Sequence, residues 1–269
     1  MLLDVHGHAA YCYTGGKAFN PALPTAVFIH GAQNDHTVWC LQTRYFAHHG
    51  FGVLAVDLPG HGRSKGAALT SVAALADWLL AVLDAAGVRQ ATLVGHSMGS
   101  LIALETAYKA PDRVSKLALV GTAYPMKVSD TLLDAAKNDE QRAIDMVNLW
   151  QHTSIAHKPS CPGPGFYVMG GAQRLMQRIS QINPAQVFYT DFAACNGYTN
   201  GEIAAQSVRC PSLFLLAKQD MMTPIKASAV LSKAIPHART TQIDNCGHAL
   251  MAEQPDAVLD ALFSFAGGD

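Results

Sequence analysis

The sequence predicts an α/β protein, in which a mostly parallel sheet is flanked by helices. Two observations support this prediction. Short runs of β-forming residues alternate with longer segments whose apolar residues recur every three or four positions. The chain has 269 residues and is 49% hydrophobic, which is enough for one domain with a sizeable core. The alternation stops between residues 124 and 207, so this stretch is predicted to be an insertion.

The predicted strands and helices follow one another in a regular order. A strand and turn are predicted near 11–16, and further strands at 26–29, 52–56, 91–94, 116–121, 213–217 and 240–243. Helices are predicted near 38–49, 72–86 and 101–110, after Pro224, and from Pro255 onward. The apolar face of the helix at 72–86 has three- and four-residue spacing, and Gly87 ends this helix.

The most informative local pattern is Gly95-His96-Ser97-Met98-Gly99, where the strand at 91–94 meets a helix. A G-x-S-x-G sequence in this context predicts a sharp turn that holds the serine oxygen out of the sheet. Glycines on both sides remove the side chains that would clash with such a turn. Ser97 is therefore the candidate nucleophile. Because five loosely specified positions also recur by chance, the surroundings of the motif have to decide.

A serine hydroxyl needs a base that takes its proton and an acid that fixes the tautomer of that base. In a fold with this type of turn, the chain order is serine, acid, histidine. Asp220 follows the strand at 213–217, and His248 follows the strand at 240–243. Because ligands bind outside the carboxyl ends of the strands in an open parallel sheet, Ser97, Asp220 and His248 are expected to meet at one site.

Structural roles for the same residues have to be weighed against catalysis. Asp220 has the alternative role of a turn residue that caps the next helix. Most of the 12 histidines are expected on the surface or in structural hydrogen bonds. In the loop after Asp220, Thr223 is predicted as an N-cap and Pro224 as the first helical residue. The order and context of the three candidates favour a catalytic triad.

An oxyanion hole is the fourth component that acyl transfer requires. One N–H comes from the residue after the nucleophile, which is Met98, and the other from the loop after the third strand. His30-Gly31-Ala32 follows the strand at 26–29, and Ala32 is the predicted second donor. The alternative is that this loop is an ordinary strand-to-helix turn.

Matching segments are spread over nearly the whole chain. They are His30-Gly31 with Trp39, Asp57 to Ser64, Gly95 to Gly99, Gln219 to Pro224, and Cys246-Gly247-His248 with Glu253 and Pro255. With these segments the chain resembles the α/β-hydrolase fold superfamily, as a carboxylesterase-like serine hydrolase with a helical cap. Dehalogenases and epoxide hydrolases of similar architecture have aspartate at the nucleophile position, and Ser97 argues against both.

The resemblance implies the α/β-hydrolase fold, with a mostly parallel eight-stranded sheet and a helical cap inserted after the sixth strand. The expected core is residues 1–123 and 208–269, and the expected cap is 124–207. The resemblance also implies that Asp57 to Ser64 form a structural loop without a catalytic role. It places Ala32 at the family's oxyanion position.

The insertion is predicted to be helical and apolar. Helical patterns occur at 131–137, 140–150, 173–182 and 185–194, and the segment Cys161-Pro162-Gly163-Pro164-Gly165 breaks regular structure. Aromatic residues and methionines are frequent here: Trp150, Phe166, Tyr167, Phe188, Tyr189, Phe192, Met126, Met146, Met169 and Met176. Such a cap would exclude water and shape an apolar pocket, although for any one of these residues a place in the cap's own small core is the more common role.

The sequence therefore predicts a serine hydrolase that cleaves a small, fairly apolar carboxylic ester through an acyl-enzyme on Ser97. A C–C bond hydrolase and a perhydrolase are alternatives that use the same triad. A ligand receptor of the same fold, with very slow turnover and ligand-dependent binding of another protein, is the alternative outside catalysis. This chemistry calls for neither a metal nor an organic cofactor.

Composition excludes several other classes of protein. The formal net charge is −1 without a basic run, which disfavours binding to nucleic acid. The most apolar segment is interrupted by Asp77 and Asp84, so no membrane span is predicted. The first residues lack the features of a signal peptide, and a cytoplasmic location is expected. The 6 cysteines lack C-x-x-C spacing and are expected to be free thiols. A monomer or homodimer is expected, with a small apolar ester as the binding partner.

Overall fold

A computed structural model describes residues 1–153, 167–235 and 237–267 of the chain. One sheet of eight strands runs through the molecule in the order β1-β2-β4-β3-β5-β6-β7-β8. The strands are β1 (Leu2–Val5), β2 (His8–Tyr13), β3 (Thr25–Ile29), β4 (Gly52–Val56), β5 (Ala91–His96), β6 (Val114–Val120), β7 (Ser212–Ala217) and β8 (Arg239–Ile243). β1 and β2 pair antiparallel, and β3 to β8 are parallel. The predicted mostly parallel, eight-stranded α/β-hydrolase sheet is confirmed.

Helices connect the parallel strands and cover both faces of the sheet. They are α1 (Cys40–His48), α2 (Val72–Ala85), α3 (Met98–Lys109), α4 (Asp130–Asn138), α5 (Glu140–Trp150), α6 (Val168–Ile182), α7 (Val187–Gly197), α8 (Gly201–Ser207), α9 (Ala229–Ala234), α10 (Leu250–Glu253) and α11 (Pro255–Gly267). Short 3₁₀ turns lie at His36–Trp39, Pro111–Arg113 and Ile225–Ser228. The prediction had no counterpart for β1, α8 or α10, which are too short to give a clear periodic signal.

The two faces of the sheet carry separate hydrophobic clusters, because successive side chains of a strand point to opposite sides. Val27 and Ile29 of β3 belong to the cluster that includes α2 and α3. Ala26 and Phe28 of the same strand belong to the cluster on the other face, with residues of α1 and α11. β3, β4, β5 and β7 are buried along their whole length, which explains their continuous apolar sequences. The carboxyl ends of these strands are therefore held in fixed positions.

Helices α4 to α8 lie between β6 and β7 in the chain. Part of this insertion has a small core of its own, formed by Leu132, Ala135, Ala136, Ala143, Ile144, Val147, Met176, Phe188 and Phe192. Ala204 and Ala205 of α8 instead pack in the cluster that includes α3. The predicted breaker Cys161 to Gly165, together with Phe166, lies outside the described residues. The division into a core and a cap at 124–207 stays a prediction.

Two further expectations concern the thiols and membrane association. Among the described residues, Cys12, Cys40, Cys195 and Cys210 are free thiols. Cys12, Cys195 and Cys246 are buried. Cys161 lies outside the described residues. Among the helices that the structure describes, none combines the length and apolar character needed to cross a membrane.

Candidate active site

Ser97 occupies a strained turn between β5 and α3. Its backbone φ is 53° and ψ is −120°, a conformation that is uncommon for a residue with a side chain. The Ser97 N–H donates to the Val120 carbonyl at 2.9 Å, which ties the turn to the end of β6. A Cβ on Gly95 would lie 2.1 Å from the Gly99 carbonyl oxygen. The motif therefore needs glycine at 95 because β5 and α3 approach too closely for any side chain.

Gly99 provides a direct test of this close packing. We expect Gly99→Ala to lower the free energy of unfolding by about 3 kcal/mol, because the new methyl group overpacks a site that cannot expand. Its Cβ would lie 2.4 Å from the Ile29 carbonyl oxygen and 2.6 Å from that of His30, and both atoms are backbone. Denaturant unfolding followed by circular dichroism measures the change.

Gly197→Ala is the matched control for Gly99→Ala. Nothing lies within 4 Å of a Cβ at Gly197, the last residue of α7. Alanine is favoured over glycine in helices by up to about 1 kcal/mol, so this variant should be as stable as the parent or slightly more stable. Equal stability of the Gly99 and Gly197 variants would contradict the packing argument.

His248 and Asp220 meet at the carboxyl ends of β7 and β8. Nδ1 of His248 lies 2.8 Å from Oδ2 of Asp220, and both side chains are buried. Burial raises the pKa of Asp220, but the adjacent His248 and the hydrogen bonds from His248 and Thr223 outweigh it and hold this pKa well below its usual range. Asp220 is therefore ionised at neutral pH, which suits a group that accepts the Nδ1 proton of the imidazole.

The structure places Ser97 and His248 on the wall of the same cavity. Within the described residues, neither Ser97 Oγ nor His248 Nε2 has a hydrogen-bond partner in the chain, so no hydrogen bond joins them in this state. Nucleophile–base hydrogen bonds are often long in proteins without substrate and shorten when it binds. With Nδ1 engaged by Asp220, Nε2 is the ring nitrogen left to receive a proton.

The two predicted oxyanion donors flank Ser97. Ala32 lines the same cavity as Ser97, and Met98 is the first residue of α3. Neither backbone N–H donates to an acceptor among the described parts of the chain. A Cβ on Gly31 would lie 3.1 Å from Ser97 Cβ, so the loop that carries Ala32 packs against Ser97. Two unengaged N–H groups beside a serine can bind a developing oxyanion.

The cavity has a volume of about 320 Å³ and is mainly apolar. Besides Ser97, Ala32, Thr223 and His248, its wall is formed by Met126, Lys127, Val128, Ser129, Leu132, Trp150, Phe192, Cys195, Met221 and Met222. Met126, Trp150 and Phe192 had been identified as apolar residues of the insertion. Trp150 and Phe192 also contact the insertion's own small core, so they have both of the roles considered from the sequence.

A comparison with family models shows which family the protein belongs to. Residues 26–261 match the model of the alpha/beta hydrolase family, which covers most of the chain. The chain belongs to the alpha/beta hydrolase family. As a member of this family, it is a hydrolase.

Individual relatives are similar to this chain over most of their length. A putative carbamate hydrolase, RutD, from Klebsiella pneumoniae subsp. pneumoniae is 27% identical, with 88% of each chain covered. The (E)-2-((N-methylformamido)methylene)succinate hydrolase of Acinetobacter baylyi is 24% identical, with 88% of each chain covered. Among solved structures, an esterase from Exiguobacterium antarcticum superposes with a TM-score of 0.83 at 18% identity, covering 99% of this chain and 98% of its own. This last likeness confirms the alpha/beta hydrolase fold.

Thr223 is a site residue that sequence reasoning missed. It was predicted to be a helix N-cap, and this is wrong, because Pro224 directly precedes the 3₁₀ turn Ile225–Ser228. Thr223 Oγ1 lies 2.7 Å from Oδ2 of Asp220, 3.1 Å from Nδ1 of His248 and 3.0 Å from the Gly121 carbonyl oxygen. The Thr223 N–H also donates to Oδ1 of Asp220 at 2.7 Å. The residue therefore holds the carboxylate against the imidazole in this alpha/beta hydrolase.

Replacing Thr223 by valine tests this positioning. We expect kcat with an ester substrate to fall about tenfold, the equivalent of one hydrogen bond to a charged group, while KM stays close to that of the parent. Thr223→Ser keeps the hydroxyl and serves as the matched control, with kcat within about twofold of the parent. Steady-state kinetics at neutral pH measures both values. Equal kcat values for the valine and serine variants would show that the hydroxyl has no role.

His96 forms a hydrogen bond with the backbone of His248. In the sequence it is only a variable position of the G-x-S-x-G motif. Its Nε2 lies 2.9 Å from the His248 carbonyl oxygen, an acceptor, so Nε2 carries the proton. Burial, together with the nearby His248, lowers the pKa of His96 to about 3. A neutral His96 therefore fixes the backbone of His248 without adding a charge beside it. No local pattern distinguished it from the other histidines.

Asp57 and the residues around it form a structural network. Asp57 Oδ1 accepts from the N–H of His36 at 2.8 Å and lies 2.7 Å from His36 Nδ1, and its Oδ2 accepts from the Arg63 N–H at 2.8 Å. Within the described ranges, Asp35, His36 and Asp57 form the one group with metal-ligand atoms close together. Asp35 is already engaged by Thr37 and Arg178. These contacts use the ligand atoms for internal hydrogen bonds.

Proposed function

We propose that this alpha/beta hydrolase is a serine esterase that cleaves a small, fairly apolar carboxylic ester, with Ser97 as nucleophile, His248 as base and Asp220 as the acid that orients it. The observation that carries the proposal is the buried contact between His248 Nδ1 and Asp220 Oδ2 at 2.8 Å, on a cavity that Ser97 also lines. This arrangement fixes the Nδ1–H tautomer, so Nε2 is free to take the serine proton.

The reaction proceeds in two acyl-transfer steps. Ser97 Oγ attacks the ester carbonyl carbon as its proton passes to His248 Nε2, and the carbonyl oxygen becomes an oxyanion bound by the Ala32 and Met98 N–H groups. When the tetrahedral intermediate collapses, the bond to the alcohol oxygen breaks and His248 returns the proton to that oxygen. Water then attacks the acyl-enzyme with His248 as base, which releases the acid and restores Ser97.

The cavity supports the choice of substrate. Its volume of about 320 Å³ lies at the lower end of the usual range for ligand pockets, which is about 300–1,000 Å³. The wall is mainly apolar and includes three methionines and two aromatic side chains, so an alkyl or aryl group gains more from binding there than a strongly polar one. Residues 124–207 are proposed to act as the cap that encloses this space and excludes water.

A panel of p-nitrophenyl esters of graded acyl length tests the proposal, combined with labelling by a fluorophosphonate. We expect turnover with acetyl and butyryl esters, a decline with long acyl chains that exceed the cavity, and a label on the peptide that contains Ser97. Absence of both turnover and labelling would overturn the proposal. The panel also includes ring-fission diketones and hydrogen peroxide, which are the substrates of the C–C hydrolase and perhydrolase alternatives.

Carbamates are a second candidate substrate class, because the relative from Klebsiella pneumoniae is named a putative carbamate hydrolase. The same nucleophile and oxyanion donors can attack a carbamate carbonyl. p-Nitrophenyl N-methylcarbamate added to the panel separates the two classes. Turnover of the carbamate without turnover of any ester would replace the proposed substrate while retaining the site.

A further inference from the structure

Asp191 joins the insertion to the loops that surround the site. It lies on α7, and only 1% of its surface is exposed. Its Oδ2 accepts from the Gln33 N–H at 2.8 Å and lies 2.8 Å from Nε2 of His61. Gln33 follows β3 and His61 follows β4, so a single carboxylate oxygen holds two neighbouring loops of the sheet.

The hydrogen bonds of His61 show that it is positively charged. Its Nδ1 lies 3.0 Å from the Pro59 carbonyl oxygen, and its Nε2 contacts the Asp191 carboxylate. Both partners are acceptors, so both ring nitrogens must carry protons. Burial lowers the pKa of His61, but the Asp191 charge and the two hydrogen bonds outweigh it and raise this pKa above its usual range. His61 is therefore a buried counter-ion for the Asp191 carboxylate.

Gln33 is the residue directly after Ala32, the proposed oxyanion donor. Its φ of 55° is left-handed, which a residue with a side chain adopts only when its surroundings impose it. The side chain is also held by the insertion, because Nε2 donates to the Met176 carbonyl at 3.1 Å and to Ser180 Oγ at 2.8 Å. The contacts with Met176 and Ser180 involve only the side chain of Gln33, whereas Asp191 accepts a hydrogen bond from the backbone N–H of Gln33.

We propose that Asp191, balanced by His61, is a positioning residue that fixes the Gln33 peptide and thereby holds the Ala32 N–H in place to bind the oxyanion. This inference rests on the proposed esterase function. It makes the oxyanion hole dependent on the insertion, since α7 provides the carboxylate while the sheet provides the donor. Loss of one oxyanion donor lowers kcat by about 10²–10³-fold, and a displaced donor should lose part of that factor.

Two substitutions of Asp191 test the proposal, with p-nitrophenyl butyrate as substrate. We expect Asp191→Ala to lower kcat about tenfold to 100-fold with KM changed less than about threefold, because the oxyanion is absent from the bound ester and develops only in the transition state and the tetrahedral intermediate. Asp191→Asn keeps one acceptor oxygen for the Gln33 N–H, and its kcat should fall between those of the parent and the alanine variant. If the alanine variant does not fold, the asparagine variant provides the test.

Ser180→Ala is the matched control, because it removes a contact of the Gln33 side chain with α6 and leaves the backbone N–H in place. Its kcat should remain within about twofold of the parent. Active sites are counted with a fluorophosphonate, so that loss of folded protein is not mistaken for slower turnover. A trifluoromethyl ketone, whose adduct with serine carries an oxyanion, gives a second readout. Its inhibition constant should rise by the same factor as kcat/KM falls across the Asp191 variants.

The outcomes distinguish failure of the positioning role of Asp191 from failure of the proposed esterase function. Asp191 variants with the same kcat per active site as Ser180→Ala, or with a purely higher KM, overturn the positioning role and leave the esterase proposal standing. Parent protein that neither turns over the ester nor reacts with the fluorophosphonate overturns both. A lower melting temperature with unchanged kcat per active site identifies Asp191 as a structural link only, which also rejects the inference.

Discussion

Replacing Ser97 by alanine will abolish ester hydrolysis, with kcat falling about 10⁶-fold, as expected when a triad serine is lost. No other group can form the acyl-enzyme once Oγ is absent, and the residual rate comes from binding and the oxyanion donors alone. Ser97 Oγ has no hydrogen-bond partner within the described chain, so its removal leaves the fold intact. Initial rates with p-nitrophenyl butyrate measure the loss, and circular dichroism measures the fold.

Ser115→Ala is the control for this substitution. Ser115 lies on β6, and its Oγ is 3.3 Å from Thr92 Oγ1 on the neighbouring strand β5. It does not line the cavity, so the variant should retain the parent's kcat and fluorophosphonate labelling. A Ser97→Ala protein that keeps its turnover or its label would place the nucleophile elsewhere and reject the proposed triad.

Replacing Asp220 by asparagine will lower kcat about 10⁴-fold with a small change in KM, the effect seen when a triad aspartate becomes an amide. Asparagine has the same shape, but its NH₂ group can face His248 Nδ1 only if that nitrogen is unprotonated. The proton then sits on Nε2, and the imidazole cannot accept the one from Ser97. Steady-state kinetics over a range of substrate concentrations separates kcat from KM.

Asp244→Asn makes the same chemical change in the loop that leads to His248. Asp244 pairs with Lys218 at 2.7 Å, but the side chains are 65% and 49% exposed, so this ion pair contributes little. The variant should match the parent in kcat and in stability. If Asp220→Asn retained comparable activity, the carboxylate would have no part in orienting the imidazole.

The sequence was sufficient to predict the strands, and the loops after them, that local patterns specify. Buried parallel strands appear as continuous apolar runs, and each is followed by a loop whose position at the carboxyl edge is set by topology. Ser97 and Asp220 come after such runs, whereas His248 follows β8, which is polar and largely exposed. The structure brings Asp220 and His248 into contact. Their functional assignment remains a proposal that the substitutions above test.

The sequence does not predict the role of a residue whose partners lie far away in the chain. Thr223-Pro224 matches a helix N-terminus locally, but the hydroxyl is directed to Asp220, His248 and the Gly121 carbonyl, the last being 102 positions away in the chain. Asp191 contacts a backbone N–H 158 positions away. Its sequence context is a mostly apolar helix without a distinct polar face, and nothing local shows which partner the carboxylate has. The partners of Thr223 come together only when the strands assemble into the sheet, and those of Asp191 only when the insertion packs against the loops after β3 and β4.

The place of β8 in the sheet affects the two ends of the proposed proton relay differently. β8 pairs with β7 alone and is largely exposed, while β5 lies between β3 and β6 in the middle of the sheet. The base follows an edge strand and the nucleophile follows an inner one. Local opening of a protein begins where backbone pairing is one-sided and solvent is near. The imidazole thus lies in the loop after β8, the strand that opens more readily. Its alignment depends on the side-chain and carbonyl contacts that hold this loop in place.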